Sequence, residues 1–195
     1  MVKIAVVYHS GYGHTARQAQ AVADGASGIA GVRVQLVSVE HVEQHWRDLD
    51  DADAIIFGTP TYMGGVSAPF KAFMDKSSKA WAGQKWKDKI AAGFTNSASQ
   101  SGDKLNTLIQ LAVFAAQHGM HWINLGLMPG NNSSQGSPED LNRLGSYLGA
   151  MAQSNSDAAP EIAPTASDLG TAAHLGRRVA EVALGFALAR ERKVA

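Results

Sequence analysis

Tyr8-His9-Ser10-Gly11-Tyr12-Gly13-His14-Thr15 joins a nearly unbroken apolar run, Val2 to Val7, to a stretch of helical periodicity, Thr15 to Ala30. An apolar run without alternation marks a strand covered on both faces, and such strands belong to parallel sheets. A strand turning directly into a helix leaves the first N–H groups of the helix and the positive end of its dipole at one point, where an anion is stabilised. Gly11 and Gly13 let the backbone close around that anion, and Ser10 and Thr15 bracket them with hydroxyls. A terminal phosphate has several oxygens to satisfy, so this loop favours a mononucleotide. Two other readings start from the same residues. Gly11-x-Gly13-x-x-Ala16 matches the dinucleotide fingerprint, with Glu40 as its ribose-binding acid, and a glycine-rich turn also forms with no ligand at all. A nucleoside-triphosphate loop is excluded, because no Lys precedes the Ser/Thr.

Outward from this turn, strands and helices alternate. Ala19, Val22, Ala23, Ala26 and Ile29 give the first helix a buried face of small residues, and Gly31 ends it. Val32 to Val39 alternates like a strand nearer the edge, His41 to Asp53 reads as a short helix or loop anchored by Trp46 and Leu49, and Ala54 to Phe57 is a third, buried strand. Ser67 and Pro69 open a helix in which Phe70, Phe73, Met74 and Trp81 share one face; Ile90 to Phe94 is the fourth strand. Leu105, Leu108, Ile109, Ala112 and Ala116 form the buried stripe of the next helix, Gly119 closes it, and Met120 to Leu125 supplies a fifth strand. Ser137-Pro138-Glu139-Asp140 starts a short helix, irregular chain follows to about Pro164, and Thr165-x-x-Asp168 caps a last helix with Leu175, Val179, Val182, Ala183 and Phe186 inside.

This pattern predicts an α/β fold of one domain over residues 1–195, a five-stranded parallel sheet with helices on both faces; with the order 2-1-3-4-5 the winding reverses between strands one and three. Ligands of such sheets lie beyond the carboxyl ends of the strands, where the winding direction reverses. Three loops rich in glycine and hydroxyls end there: residues 8–15, Gly58-Thr59-Pro60-Thr61-Tyr62-Met63-Gly64-Gly65, and Thr95-Asn96-Ser97-Ala98-Ser99-Gln100-Ser101-Gly102. One loop for a phosphate and two flanking a flat ring suit FMN better than a dinucleotide.

With 45% apolar residues the chain can bury one sizeable core, and equal numbers of basic and acidic residues, 17 each, give no field that steers toward nucleic acid or anionic membrane. The absence of cysteine rules out disulfides, thiolate metal sites and cysteine nucleophiles, and no metal-ligand spacing appears. Without a signal-type segment or a long apolar run, the expected location is cytoplasmic.

The second, third and later motifs, taken together, carry a family resemblance. Val7 to Thr15, Phe57-Gly58-Thr59-Pro60-Thr61-Tyr62-Met63-Gly64, Trp81 and Gln117-His118-Gly119-Met120 resemble successive motifs of the flavodoxin-like NAD(P)H:quinone oxidoreductases of the WrbA family, over roughly residues 2–125 and more loosely the last helix. The resemblance implies an FMN protein, usually a homotetramer, that passes two electrons from NADH or NADPH to quinones, with the chemistry borne by the flavin. Carried over by position, Ser10, Gly11, Tyr12, Gly13, His14 and Thr15 hold the phosphate. Thr61, Tyr62, Met63 and Gly64 meet the ring, with Asn96, Ser97, Ala98, Ser99, Gln100 and Ser101 below it. Gln117 and His118 follow as further cofactor contacts, and Tyr12 and Trp81 flank nicotinamide and quinone. The family pattern has His-His-Gly-Met where this chain has Gln117-His118-Gly119-Met120, a glycine-rich third loop where this chain has Asn96 to Ser101, and a different segment between Leu127 and Pro164. A one-electron carrier of the flavodoxin type is the rival; such carriers are usually strongly acidic, and this chain is neutral.

Overall fold

Along the chain the elements are β1 (Val2–Tyr8), α1 (His14–Ser27), β2 (Val32–Ser38), a 3₁₀ segment Val39–Gln44, α2 (Trp46–Asp51), β3 (Ala54–Tyr62), β4 (Gly65–Val66), α3 (Ala68–Lys76), α4 (Ser78–Ala82), β5 (Ile90–Ser97), α5 (Lys104–Gln117), β6 (His121–Trp122), β7 (Ala150–Gln153) and α6 (Ala166–Val194). The structure, a computed structural model, describes residues 1–194 and the side chains of residues 1–189. β1 pairs in parallel with β2 on one side and β3 on the other, and β3 pairs in parallel with β5. The last column is shared: β6 pairs with the start of β5, Ile90 opposite His121, and β7 with its end, Phe94 opposite Ala150. The expected order of columns, 2-1-3-4-5, is therefore present, with the winding reversal between β1 and β3.

Alternation within the apolar strands sends neighbouring residues to opposite faces. Ile4, Val6, Ile56 and Phe94 pack under α1 and α6 with Val22, Ala26, Leu175 and Val179, while Ala5, Val7, Ile55 and Phe57 pack under the other helices with Phe70, Phe73, Trp86, Leu108 and Phe114. On the first face α1 and α6 cross at glycines. A Cβ on Gly25 would lie 1.9 Å from the Ala173 carbonyl oxygen, and one on Gly176 would lie 1.9 Å from that of Val22.

Several expectations about elements change. The stripe of Phe70, Phe73 and Met74 does not continue to Trp81, because the helix ends at Lys76 and restarts as α4; Trp81 is about half exposed, and the tryptophan in the core is Trp86. The fifth strand, expected over Met120 to Leu125, is only two residues long, and its role is completed by β7, which sequence periodicity does not signal. No helix forms from Ser137; Asp140 instead accepts the Ser137 N–H at 2.8 Å, closing a turn. Asp168 does not complete a capping box for α6, since Arg143 occupies both its oxygens at 2.8 and 2.7 Å and the Gln153 N–H donates to it at 2.9 Å. Phe186, placed inside by its spacing, is 41% exposed and contacts the His121 ring. Leu105 and Ile109, expected on the buried stripe of α5, are about half exposed, because the helix turns Leu108, Leu111, Phe114 and Ala115 to the sheet.

Candidate functional site

A cavity of about 540 Å³ opens beyond the carboxyl ends of β1, β3 and β5. Its walls are Gly11, Tyr12, His14 and Thr15 from the first loop, Pro60 to Gly64 from the second, and Asn96 to Ser99 with Gly102 from the third. Ser154 and Ser156, which follow β7, form a fourth wall.

The first loop is shaped from within. Ser10 Oγ accepts the N–H groups of Gly13 and Ala16, each at 3.1 Å, so this hydroxyl folds the turn and does not line the cavity. Gly13 precedes α1 at φ 91°, a conformation that favours glycine, and a Cβ there would also strike Pro160 at 2.9 Å. Thr15, in the first turn of α1, is buried and lines the cavity, and among the described residues its hydroxyl has no hydrogen-bond partner. An oxygen-rich anion at the N-terminus of α1 would supply that partner along with the charge the helix end favours. His14 donates from Nε2 to the Ala158 carbonyl at 2.8 Å, tying the first loop to the fourth.

The second loop is held by hydroxyls. Thr61 Oγ1 lies 2.8 Å from that of Thr95 and 2.7 Å from that of Thr107, and the Thr95 hydroxyl donates to the Thr59 carbonyl at 2.6 Å. Met63 at φ 48° and Gly64 at φ 80° turn the chain, and Asn106 Nδ2 donates to the Gly64 carbonyl at 2.6 Å. Met63 is fully exposed, and Tyr12 and Tyr62 meet edge to face at the mouth, ring centroids 6.5 Å apart. Burial, and next the neighbouring Tyr12, push the Tyr62 hydroxyl pKa up, so the Tyr62 phenol stays neutral. The third loop joins the fourth through Ser154 Oγ donating to Asn96 Oδ1 at 2.9 Å and Gln153 Nε2 donating to the Ala98 carbonyl at 2.8 Å.

Several expected contacts lie elsewhere in this chain. His118 is buried against Trp86, ring centroids 4.3 Å apart, and its Nε2 is 2.9 Å from Ser77 Oγ; it is a packing residue, and desolvation lowers its pKa to about 4. Gln117 borders a shallow apolar groove between α3 and α5, and neither Trp81, Gln100 nor Ser101 lines the cavity. The alternative acid, Glu40, is bonded by the Ser38 hydroxyl and lies 3.4 Å from His9 Nε2, outside the cavity. His9 is otherwise fastened by Ser67 Oγ at 2.8 Å, and burial, outweighing the Glu40 charge, lowers its pKa. Pro60, Gly102, Ser154 and Ser156 are the cavity residues that sequence reasoning missed. The polar run Gln153-Ser154-Asn155-Ser156 was the available signal, but only β7 brings it beside β5.

Comparison with known proteins shows the family. The family model described as NADPH-dependent FMN reductase matches residues 33–134. The chain belongs to this family. It is 46% identical to flavodoxin FldP of Pseudomonas aeruginosa over 183 residues, 93% of this chain and 97% of that one. It is 34% identical to an NAD(P)H dehydrogenase (quinone) of Archaeoglobus fulgidus, covering 94% of this chain and 98% of the other. Among solved structures, a flavodoxin, WrbA-like protein from Agrobacterium tumefaciens superposes with a TM-score of 0.75 at 46% identity, over 95% of this chain and 99% of that one. The family match covers β2 to the 123–134 segment, so the first loop and the fourth wall lie outside it.

Proposed function

We propose that this protein is an FMN-dependent oxidoreductase that moves two electrons from NADH or NADPH to a quinone. The carrying observation is the cavity itself: it joins an anion site at the N-terminus of α1 to a wide opening flanked by the exposed Tyr12 and Tyr62. FMN fits the donor set, since Thr15 and the helix end suit a phosphate and the hydroxyl- and carbonyl-rich second and third loops suit the polar edge of a flat ring. When bound, FMN supplies the acceptance and return of a hydride equivalent. The protein's share is position: Ser10 folds the phosphate turn, the Thr61–Thr95–Thr107 hydroxyls fix the second loop, and His14 and Gln153 hold the fourth wall closed. Tyr12 lies at the mouth, where a flat substrate ring can meet an aromatic edge. Nicotinamide and quinone both reach the ring through this opening, so they bind in turn and steady-state kinetics are ping-pong. We further propose that the protein acts in the cytoplasm and as a homo-oligomer, its α5 face covered by a second copy.

A second reading has a specific observation behind it. The relative at 46% identity is named a flavodoxin, and its alignment spans almost the same length as this chain, whereas the alignment with the quinone dehydrogenase runs over 207 positions. Residues present in that enzyme are therefore missing here. A flavodoxin-type carrier would pass single electrons between proteins. Purified protein reconstituted with FMN, mixed with NADH or NADPH and then with benzoquinone, separates the two. Bleaching of the flavin by nicotinamide and parallel double-reciprocal lines support the enzyme. Failure of both nucleotides to reduce the flavin, with reduction by a flavoprotein reductase, supports the carrier.

A further inference from the structure

The third loop rests on a buried ammonium group. Lys104, in the first turn of α5, is 1% exposed, and its Nζ donates to Ser97 Oγ at 2.8 Å, to the Ser99 carbonyl at 2.9 Å and to the Gln100 carbonyl at 2.7 Å. Ser97 and Ser99 line the cavity, so the ammonium lies directly behind that wall. All three acceptors are neutral. The acid that faces it is Asp168 of α6, whose two oxygens are already bound by the Arg143 guanidinium. The charged groups around this point are thus two cations, Lys104 and Arg143, and one anion, Asp168. A net positive charge in a desolvated position is costly and is kept only where something offsets it.

We propose that Lys104 is a positioning residue that braces the third loop and, through its uncompensated charge, favours the more negatively charged, reduced form of the group in the cavity. This rests on the FMN reading above. A hydride carries two electrons and one proton, so its transfer oxidises the nicotinamide and leaves a neutral ring with one added negative charge. At an effective dielectric near 20, a unit charge about 10 Å away changes the stability of such an anion roughly tenfold. Desolvation, partly offset by Asp168 and reinforced by Arg143, brings the Lys104 pKa down to about 8. The ammonium is therefore present at neutral pH and within reach of titration. Coupling is reciprocal: the charge gained on reduction must raise the lysine's proton affinity in turn.

The test begins with apoprotein and FMN. If FMN does not bind, the FMN reading falls and the proposal with it. If it binds, the two-electron midpoint potential is measured by dye equilibration for wild type, Lys104→Met and Lys104→Arg. Loss of the charge should weaken the reduced form about tenfold relative to the oxidised form, a fall of about 30 mV, with Arg restoring most of it. Equal weakening of both forms would mean a brace without an electrostatic role and would overturn the proposal, as would an unchanged potential. Wild type alone gives an independent check that needs no variant to fold. A tenfold coupling raises the lysine pKa by about one unit on reduction, so between about pH 8 and 9 reduction should take up roughly half an additional proton and the slope of potential against pH should steepen by about half before relaxing again; a constant slope would overturn the proposal.

Discussion

Thr15 and His118 show how differently two buried polar side chains can serve. Thr15 presents a hydroxyl to the cavity at the positive end of α1, and a charge-assisted hydrogen bond to phosphate there is worth about 1.5–3 kcal/mol. Thr15→Ala should therefore weaken FMN binding roughly ten- to a hundredfold by flavin fluorescence titration. Glu40→Ala, outside the cavity, should leave it unchanged; the reverse pattern would favour the dinucleotide reading. His118 is buried neutral, with its Nδ1 lacking a hydrogen-bond partner, and its pKa of about 4 lies below the ordinary histidine value. Unfolding raises the affinity of this imidazole for a proton. Between about pH 6.5 and 4 the unfolded chain therefore binds more protons, and this group's contribution to stability falls with pH by up to about 1.4 kcal/mol per unit. Urea titrations across that window should show a shallower fall in His118→Gln than in wild type. The sequence placed His118 beside the flavin through a family motif; what it could not show is that Trp86, 32 positions earlier and silent in periodicity, packs on the ring.

Between elements, α1 and α6 approach each other as closely as two glycines permit. Gly176 faces the Val22 carbonyl, and Gly25 the Ala173 carbonyl, so neither helix can carry even a methyl group at the crossing without separating. Gly176→Ala, which by helix propensity alone would stabilise, should instead destabilise by about 1–3 kcal/mol in chemical denaturation. A gain in stability would show that α1 and α6 are not packed this closely. Helical spacing had marked the Ala19, Val22, Ala23 and Ala26 face as one that lies close on its neighbour, and strand patterning had marked a parallel sheet with Val32 to Val39 nearer its edge. Those features are local and periodic. The split last column is neither: β6 and β7 are two and four residues long, separated by 27 residues, and are strands only because β5 offers each a free half-edge. For the same reason the first three walls of the cavity could be read from the sequence, and the fourth, carried by β7, could not.

On the scale of the whole molecule, an exposed apolar stripe remains outside the cavity. Leu105, Ile109 and Val113 follow one another at four-residue steps along α5 and are each about half exposed, and the groove beside them is lined by Met74, Phe114 and Gln117. A helix face of this kind is the usual sign of a covered surface, and with a near-neutral chain there is no net repulsion to keep copies apart. Val113→Glu would place a charge in the centre of that face while leaving the buried side of α5, Leu108 and Leu111, untouched. Sedimentation should then shift from an oligomer to a monomer with far-UV circular dichroism unchanged; a wild type that already sediments as a monomer would remove the oligomer proposal. The decisive readout is FMN. Since all four walls come from a single chain, the monomeric variant should hold FMN with wild-type affinity. If FMN is lost on dissociation, the cavity needs a second copy for completion, and the exposed Trp81, which does not line the cavity of its own chain, returns as a candidate for that missing wall.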